Sequence, residues 1–554
     1  MSGEEPLRVF GEEPLRRPGA AGEPGPYDVV VVGAGLAGLY ALHRLRGLGL
    51  RTLVLEAADG VGGTWYWNRY PGARCDVEST FYSYSFSPEL EQEWEWSERY
   101  AGQPEILRYL DHVADRFDLR RDIRLGTRVV SAHFDETGHR WRIRTDDGTT
   151  LTASYCVMAT GCLSHSRLPD VEGLEDFAGS VHRTARWPHE GVDFTGRRVA
   201  VVGTGSSAVQ AIPLIARQAA RLTVFQRTPN FSLPARNRPL DPAERSKVKR
   251  HYPRLREEAR RSVSGVPQAL DGLGSALAVS PAEREARYRQ AWEASSLFSF
   301  AGTYGDLITD SEANETAGDF VRARIREKVN DTALAERLVP RHYPFGAKRL
   351  CLDSGYYETF NRPDVELVDL RSSPLIRVTR RAVVTATDEY PVDSIVFATG
   401  FDAMSGALLA MDIRGRSGRT LAAAWAEGPR TYLGLAVSGF PNLFLVTGPG
   451  SPSVLSNMVL SIEQHIDWVA GALQWLSRRG ATTFEAEAEA EADWTAHVDA
   501  LSAATLLPRA ASWWTGANIA GKPRTFMAYL GGVKTYRETC DAVAADGYRG
   551  FIAH

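Results

Sequence analysis

The chain is short of sulfur. Its 554 residues hold five cysteines and six methionines. Cys75, Cys156, Cys162, Cys351 and Cys540 form no C-x-x-C pair. An odd count without paired spacing excludes a disulfide framework and a redox dithiol, and it fits free thiols in a reducing cytoplasm. No His/Cys cluster has metal-ligand spacing, so no metal is expected. Long apolar runs are missing too. The longest uncharged stretch, 431–462, is broken by Pro441, Pro449, Pro452 and several glycines, whereas a membrane helix needs about 20 continuous apolar residues. Residues 1–26 lack the apolar segment of a signal peptide. They are rich in Glu, Arg, Pro and Gly and repeat GEEPLR at 3–8 and 11–16, which is the composition of a disordered tail. A net charge of -4 offers nothing to nucleic acid or to an anionic membrane.

Two dinucleotide-binding patterns stand in this ordinary background. In YDVVVVGAGLAGL the apolar run Tyr27–Val32 reads as a buried parallel strand. Gly33, Gly35 and Gly38 follow as G-x-G-x-x-G. The first glycine permits a tight turn, the second lets a pyrophosphate approach, and the third allows close helix–strand packing. The next strand, Arg51–Leu55, ends at Glu56, 23 residues after Gly33, where an acid accepts from ribose hydroxyls. RRVAVVGTGSSAVQ repeats the layout with Gly203, Thr204, Gly205 and Ser206, and Ala208 fills the third place. Here the acid is gone: Gln226 occupies its position, and Arg227 and Thr228 follow. An arginine pairs with a 2'-phosphate that a carboxylate would repel, so the second nucleotide reads as NADP. Two unlike sites of this kind suggest FAD in the first and NADPH in the second. YCVMATG (155–161) and DSIVFATGFD (393–402) read as further buried strands, each returning beside one unit.

GGTWYWNRYPGARCD (62–76) then crowds Trp65, Trp67, Tyr70, Arg69, Arg74 and Asp76 into fifteen residues. A core strand would not carry the charges and a solvated loop would not carry the aromatics. FAGSVHRTARWP (177–188) resembles the F-x-G-x-x-x-H-x-x-x-W-P fingerprint of the single-chain, FAD- and NADPH-dependent Baeyer–Villiger monooxygenases, with Phe177, Gly179, His182, Trp187 and Pro188 read as its fixed places. The 62–76 stretch resembles that family's second signature, from Gly62 and Gly63 to Asp76. AKRLCLD (347–353), GPGSPSVLSNM (448–458) and SWWTGANIAGKPRTF (512–526) also look like family blocks, most like those of the branch acting on aryl-aliphatic and steroid ketones.

The resemblance implies an α/β fold of two Rossmann-like domains, FAD and NADPH as cofactors, and a C4a-peroxyflavin that inserts one oxygen atom of O2 beside a ketone carbonyl. It implies that Arg349 supplies the cation for that step and that Asp76 holds Arg349. Gly63, Thr64, Trp65 and Tyr70 would lie along the flavin. Lys348 would join Arg227 and Thr228 at the 2'-phosphate, and Trp513, or its neighbour Trp514, would contact NADP. Ser453, Val454, Leu455 and Met458 would line the ketone pocket. His182 is read as a packing or hinge residue in a linker, not as an acid or base. The FAD domain would take 27–162 and 399–554, and the NADP domain 163–398, with a helical insertion at 235–340. Helices are expected over 280–296, with Ser280 and Glu283 as a capping box, over 316–329 and over 465–480. The Glu-Ala run at 485–493 is expected as a solvated helical face or loop. The expected partners are a small ketone and O2, for a monomer or weak homodimer in the cytoplasm.

Three other readings share features with this one. A sulfur- or nitrogen-oxidising flavin monooxygenase would have both units but no need of Arg349 with Asp76. A flavin disulfide reductase would need a second cysteine beside Cys75. A flavin-binding sensor would have lost the catalytic positions.

Overall fold

The computed structural model describes residues 26–166, 168–267 and 274–554, so the expected tail lies outside the described residues except for Pro26. The chain is α/β and builds two parallel-stranded nucleotide units. In the first sheet Tyr27–Val32 lies parallel between Thr52–Leu55 and Thr150–Met158. Thr150–Met158 shares its far edge between two strands. Its N-terminal half pairs antiparallel with Arg140–Thr145, and its C-terminal end pairs parallel with Leu443–Leu445. Val129–Asp135 and Asp412–Arg414 extend that side and Ile123–Arg124 closes the other. In the second sheet the order is Val365–Asp369, Arg221–Gln226, Arg198–Val202, Ser394–Phe397 and Ser180–Arg183, all parallel. The chain therefore crosses from the first sheet to the second after Met158 and returns after Phe397.

The sequence dictates much of this locally. The four valines of the first strand are fully or nearly buried, as a strand covered on both faces requires. The following helix, Leu36–Gly47, packs on the long helix Met458–Arg479, where Tyr40 Oη and Arg44 Nε both donate to Asp467. That long helix begins seven residues earlier than expected, because Asn457 accepts from Val459 N–H and caps it, which contributes about 1 kcal/mol. It ends at Gly480, φ 68°, as expected. The strand expected at Arg51 starts at Thr52.

The helices Pro242–Arg261, Pro281–Ala294, Ser311–Lys328 and Thr332–Leu338 fill the expected helical stretch. Ser280 caps its helix through Glu283 N–H, but Glu283 does not close a capping box; its carboxylate pairs with Arg287. The last three of these helices pack with the second sheet. The first reaches the other unit, where Arg256 pairs with Glu91 and binds Ser83 and the Phe81 and Tyr84 carbonyls. The Glu-Ala run meets the expectation of a helical face over 488–493, where the helix Ala488–Ala503 starts, and departs from it at Glu485 and Ala486, which end the strand Phe484–Ala486. Glu485 accepts from Gly439 N–H and Glu491 from Ser438 N–H, so two of its acids satisfy a neighbouring loop rather than water.

One packing constraint is testable. A Cβ on Gly38 would lie 1.8 Å from the Gly33 carbonyl oxygen, and backbone cannot give way as a flexible side chain can. Gly38→Ala is expected to lower the unfolding free energy by about 3 kcal/mol or more and to yield flavin-poor protein. Thermal unfolding with flavin content read from absorbance checks it.

Candidate active site

Each unit opens on a turn that lacks side chains where a phosphate would come. Gly33 has φ 106°, and a Cβ there would sit 2.6 Å from Ala159 O. A Cβ on Gly63, φ 54°, would sit 2.9 Å from Gly35 Cα, so the turn at 62–64 lies directly on the first glycine turn, tied by Gly62 N–H to Ala34 O at 2.9 Å. The helices after both turns start without a side-chain cap, at Leu36 and at Ser206. Their free N–H groups and dipoles suit an anion. At the second turn Gly203 has φ 117° and a Cβ there would meet Ala398 O at 2.5 Å, while the space over Gly205 is open. Glu56 is buried and accepts from Ala34 N–H at 2.6 Å and Ala58 N–H at 2.8 Å. Burial raises its pKa against the pull of those bonds. These features fit two dinucleotides.

Around the second turn, Thr204 Oγ1 donates to Thr228 O at 2.7 Å. Gln226, in the acid's place, turns inward and donates to Arg337 O at 2.7 Å. Arg227 is exposed. Lys348 donates to Ala511 O and stands over the Tyr343 ring. Burial, and then the charge of Arg227, bring the Lys348 pKa down to about 8. Two cations crowd each other here, and among the described residues no acid is bonded to either, which is the arrangement a phosphate relieves.

The 62–76 stretch bridges the two cores. Trp65 packs in the first and donates from Nε1 to Tyr82 Oη. Trp67 lies under Arg186. Tyr70 belongs to the second core, and its Oη donates to Gln210 Oε1 at 2.9 Å. Gln210 also donates from Nε2 to Arg74 O and accepts from Arg74 N–H. A Cβ on Gly72 would strike Gln210 O at 2.7 Å. Sequence reasoning missed Gln210; its signal was a lone amide in the apolar run that follows Ser206 and Ser207 in the helix SSAVQAIPLI.

This strap carries Asp76 to Arg349. Arg349 Nε donates to Asp76 Oδ2 at 3.0 Å, Nη2 donates to Oδ1 and Oδ2 at 2.7 Å, and Nη1 donates to Val454 O at 2.8 Å. The side chains keep 26% and 18% of their exposure, so neither is sealed from a ligand. Burial pulls the Arg349 pKa down, but the charge and bonds of Asp76 outweigh it and leave the group above the ordinary arginine value. A guanidinium has five N–H groups. The carboxylate takes the Nε and Nη2 side and Val454 O takes one Nη1 hydrogen, so at least the second Nη1 hydrogen remains for a bound molecule.

An apolar cluster lies at Val454: Cys162, Met404, Trp514, Phe526 and Met527 are buried in it, with Leu455, Met458 and Trp513 partly buried against it. Met458 opens the long helix rather than ending a loop. Trp513 is half-buried, whereas Trp514 is buried with its Nε1 unpartnered. Ser453 does not line an open pocket surface. It is fully buried, and its Oγ lies 3.0 Å from Cys162 Sγ. Sequence reasoning gave Cys162 no part, and nothing in its spacing marks it. Lys522 and Asp402 clamp the 512–526 segment onto the turn after Phe397, 2.6 Å apart.

His182 departs from expectation twice. It lies on the edge strand Ser180–Arg183, paired with Val396, rather than in a linker. Counted from Phe177, the family spacing F-x-G-x-x-x-H puts Arg183, not His182, at the histidine place. The His182 ring packs near Trp187 and Phe194, and burial lowers its pKa.

The comparisons with known proteins agree with this architecture. Residues 30–259 match the family model described as pyridine nucleotide-disulphide oxidoreductase, although all five cysteines here are free. Acetone monooxygenase (methyl acetate-forming) of Gordonia sp. is 41% identical over 95% of this chain and 98% of its own length. A Baeyer–Villiger monooxygenase of Pseudooceanicola batsensis is 40% identical, covering 95% and 96%. A phenazine N-monooxygenase of Lysobacter antibioticus is 41% identical over the same shares. Among solved structures, oxidized steroid monooxygenase bound to NADP is 55% identical with a TM-score of 0.91, covering 96% of this chain and 99% of that one. OTEMO in complex with FAD and NADP is 40% identical with a TM-score of 0.92, covering 96% and 100%. The chain belongs to the Baeyer–Villiger monooxygenase family. It is an FAD-binding, NADPH-dependent monooxygenase that turns ketones into esters or lactones. Among the described residues no helix is long and apolar enough to cross a membrane.

Behind the site sits a buried histidine with a pH signature. His465 Nδ1 accepts from Thr447 N–H at 2.9 Å. Burial, then the charge of Arg537, hold its pKa down to about 3. An unfolded chain takes up this proton below about pH 6.5. The contribution of His465 to stability is therefore complete above that pH and is lost as pH falls from about 6.5 to about 3. His465→Asn, which keeps an acceptor for Thr447, is expected to flatten the acid limb of a urea-unfolding series; an unchanged limb would show that other groups set it.

Proposed function

We propose that the substrate is an aryl-aliphatic, bulky cyclic or steroid ketone and that Arg349, held by Asp76, is the group that stabilises the reaction's negative charge. The observation that carries this reading is the spare Nη1 hydrogen of Arg349 beside an apolar cluster. FAD, when bound, takes electrons from NADPH and activates O2, and that redox chemistry is the cofactor's. The protein orients and charges the site. As the ketone carbonyl is attacked, negative charge grows on its oxygen, and a fixed cationic donor favours that state over the neutral ketone. Arg349 stays protonated at any working pH, and Asp76 keeps it from swinging away.

The other residues fall into place around that pair. Gly33, Gly35 and Gly38 with the helix start at Leu36 hold the FAD pyrophosphate, and Glu56 accepts from its ribose. Gly63, Thr64 and Trp65 lie along the flavin, and Tyr70 ties their segment to the second unit. Gly203, Thr204, Gly205 and Ser206 hold the NADPH pyrophosphate. Arg227, Thr228 and Lys348 take its 2'-phosphate, and half-buried Trp513 rather than Trp514 contacts the nucleotide. Val454, Leu455 and Met458 present apolar surface to the ketone. In this reading 27–162 with 399–554 form the FAD domain and 163–398 the NADP domain, the helix Pro242–Arg261 spanning both. The protein works as a monomer or weak homodimer in the cytoplasm.

Product mass analysis tests the reading. Purified protein with NADPH under air is offered phenylacetone, a steroid methyl ketone, cyclohexanone and an aryl thioether. Esters or lactones one oxygen heavier than the first two ketones are expected; sulfoxide as the sole product would favour heteroatom oxidation. Arg349→Ala should cost about 10²–10³-fold or more in ester formation while NADPH still reduces the flavin, and near-parental ester output would refute its role. A 2'-phosphate beside Lys348 raises the amine's pKa, so NADP binding takes up a proton near pH 8 and weakens as pH rises through it. Calorimetry in two buffers at pH 8.5 should show that uptake, and Lys348→Met should abolish it and cut the preference for NADPH over NADH about tenfold or more.

A further inference from the structure

The direction of the spare Arg349 hydrogen depends on where Val454 O stands, and Val454 sits in an unusual piece of backbone. Ser453 before it has φ 39° and Thr447 has φ 55°. Both lie in the left-handed region that a β-branched or ordinary L-residue seldom adopts, and such strain persists only where the surroundings enforce it. Those surroundings are a small buried polar network. Cys162 Sγ lies 3.1 Å from Thr447 O and 3.0 Å from Ser453 Oγ. Thr447 Oγ1 donates to Val446 O at 2.6 Å, and Thr447 N–H donates to His465. The thiol reaches Thr447 O at 3.1 Å and Thr447 Oγ1 at 3.3 Å. It shares a hydrogen bond with the Ser453 hydroxyl at 3.0 Å, in which either group can donate. Burial raises the Cys162 pKa, so the thiol keeps its proton.

Cys162 is itself held from the backbone. It follows the strand Thr150–Met158 on the first crossing between the sheets, and its carbonyl accepts from Met404 N–H at 2.8 Å on the return crossing. The thiol therefore links both crossings to the turn that bears Val454.

We propose that Cys162 and Ser453 are positioning residues for Arg349: their thiol–hydroxyl bond fixes the Val454 peptide, whose carbonyl aims the guanidinium. Neither touches the reacting atoms. Cysteine suits the place because its long C–S bond reaches two partners that a serine would reach less well. The inference rests on Arg349 serving the ester-forming step as proposed above.

The test uses the FAD-loaded protein. In Cys162→Ala, NADPH should reduce the flavin within about twofold of the parental rate, since no hydride-transfer contact is lost. The fraction of NADPH converted to ester should fall about threefold or more, the balance appearing as hydrogen peroxide from NADPH, a proton and O2. Without ketone or NADPH, the amides of Leu455 and Ser456 should exchange with deuterium about fivefold faster, as expected for one lost hydrogen bond. Cys162→Ser should recover part of both effects. Ser453→Ala removes only the hydroxyl and keeps a Cβ at the positive φ, so adding it to Cys162→Ala should cost nothing further. Parental ester yield and parental exchange in Cys162→Ala would overturn the proposal, as would a lower melting temperature with unchanged ester yield. If Arg349→Ala still makes ester, the reading of Arg349 fails, while the exchange result still judges the Cys162–Ser453 bond.

Discussion

The pair between Arg349 and Asp76 joins residues 273 apart in sequence, and it forms only if both nucleotide units fold and dock. Asp76 arrives on a strap that leaves the first unit and lies on the Ser206–Ile215 helix of the second. Arg349 arrives on the segment leading into the strand Cys351–Asp353. Desolvation offsets much of what such a pair gains in stability. Its consequence is directional: a bidentate carboxylate and one carbonyl leave a guanidinium little freedom to turn.

That constraint accounts for the composition of the strap. Aromatic residues are needed because the strap is anchored in two hydrophobic cores, Trp65 in one and Tyr70 in the other. Charge is needed because it ends at a cation. Glycine is needed at Gly63 and Gly72 because backbone from each unit approaches too closely for a Cβ. A sequence that looked too apolar for a loop and too charged for a strand is a joint between units.

The regular parts were readable from sequence because period and spacing report them directly. The first strand, both glycine turns and the cap at Ser280 follow from local chemistry. The helix start at Asn457 was hidden because the residues before it belong to a Gly/Pro/Ser-rich stretch that reads as loop. Two acids of the Glu-Ala run misled for a related reason: they alternate as they would on a solvated face, yet Glu485 and Glu491 accept from the packed loop at 438–439. Ser453 was expected to line the ketone pocket with Val454, Leu455 and Met458, and a positive φ at a buried serine leaves no trace in composition. Long-range partners such as Gln210 and Cys162 became visible only in three dimensions.

Whether the pair acts as one unit is the central question. The most direct measurement is the rate of ester formation in single-turnover reactions of Arg349→Ala, Asp76→Ala and the double variant, each with flavin reduction measured separately. The account predicts that the double variant is no slower than Arg349→Ala alone, because Asp76 acts only through Arg349. Losses that add in the double variant would contradict it, since Asp76 would then serve the reaction independently.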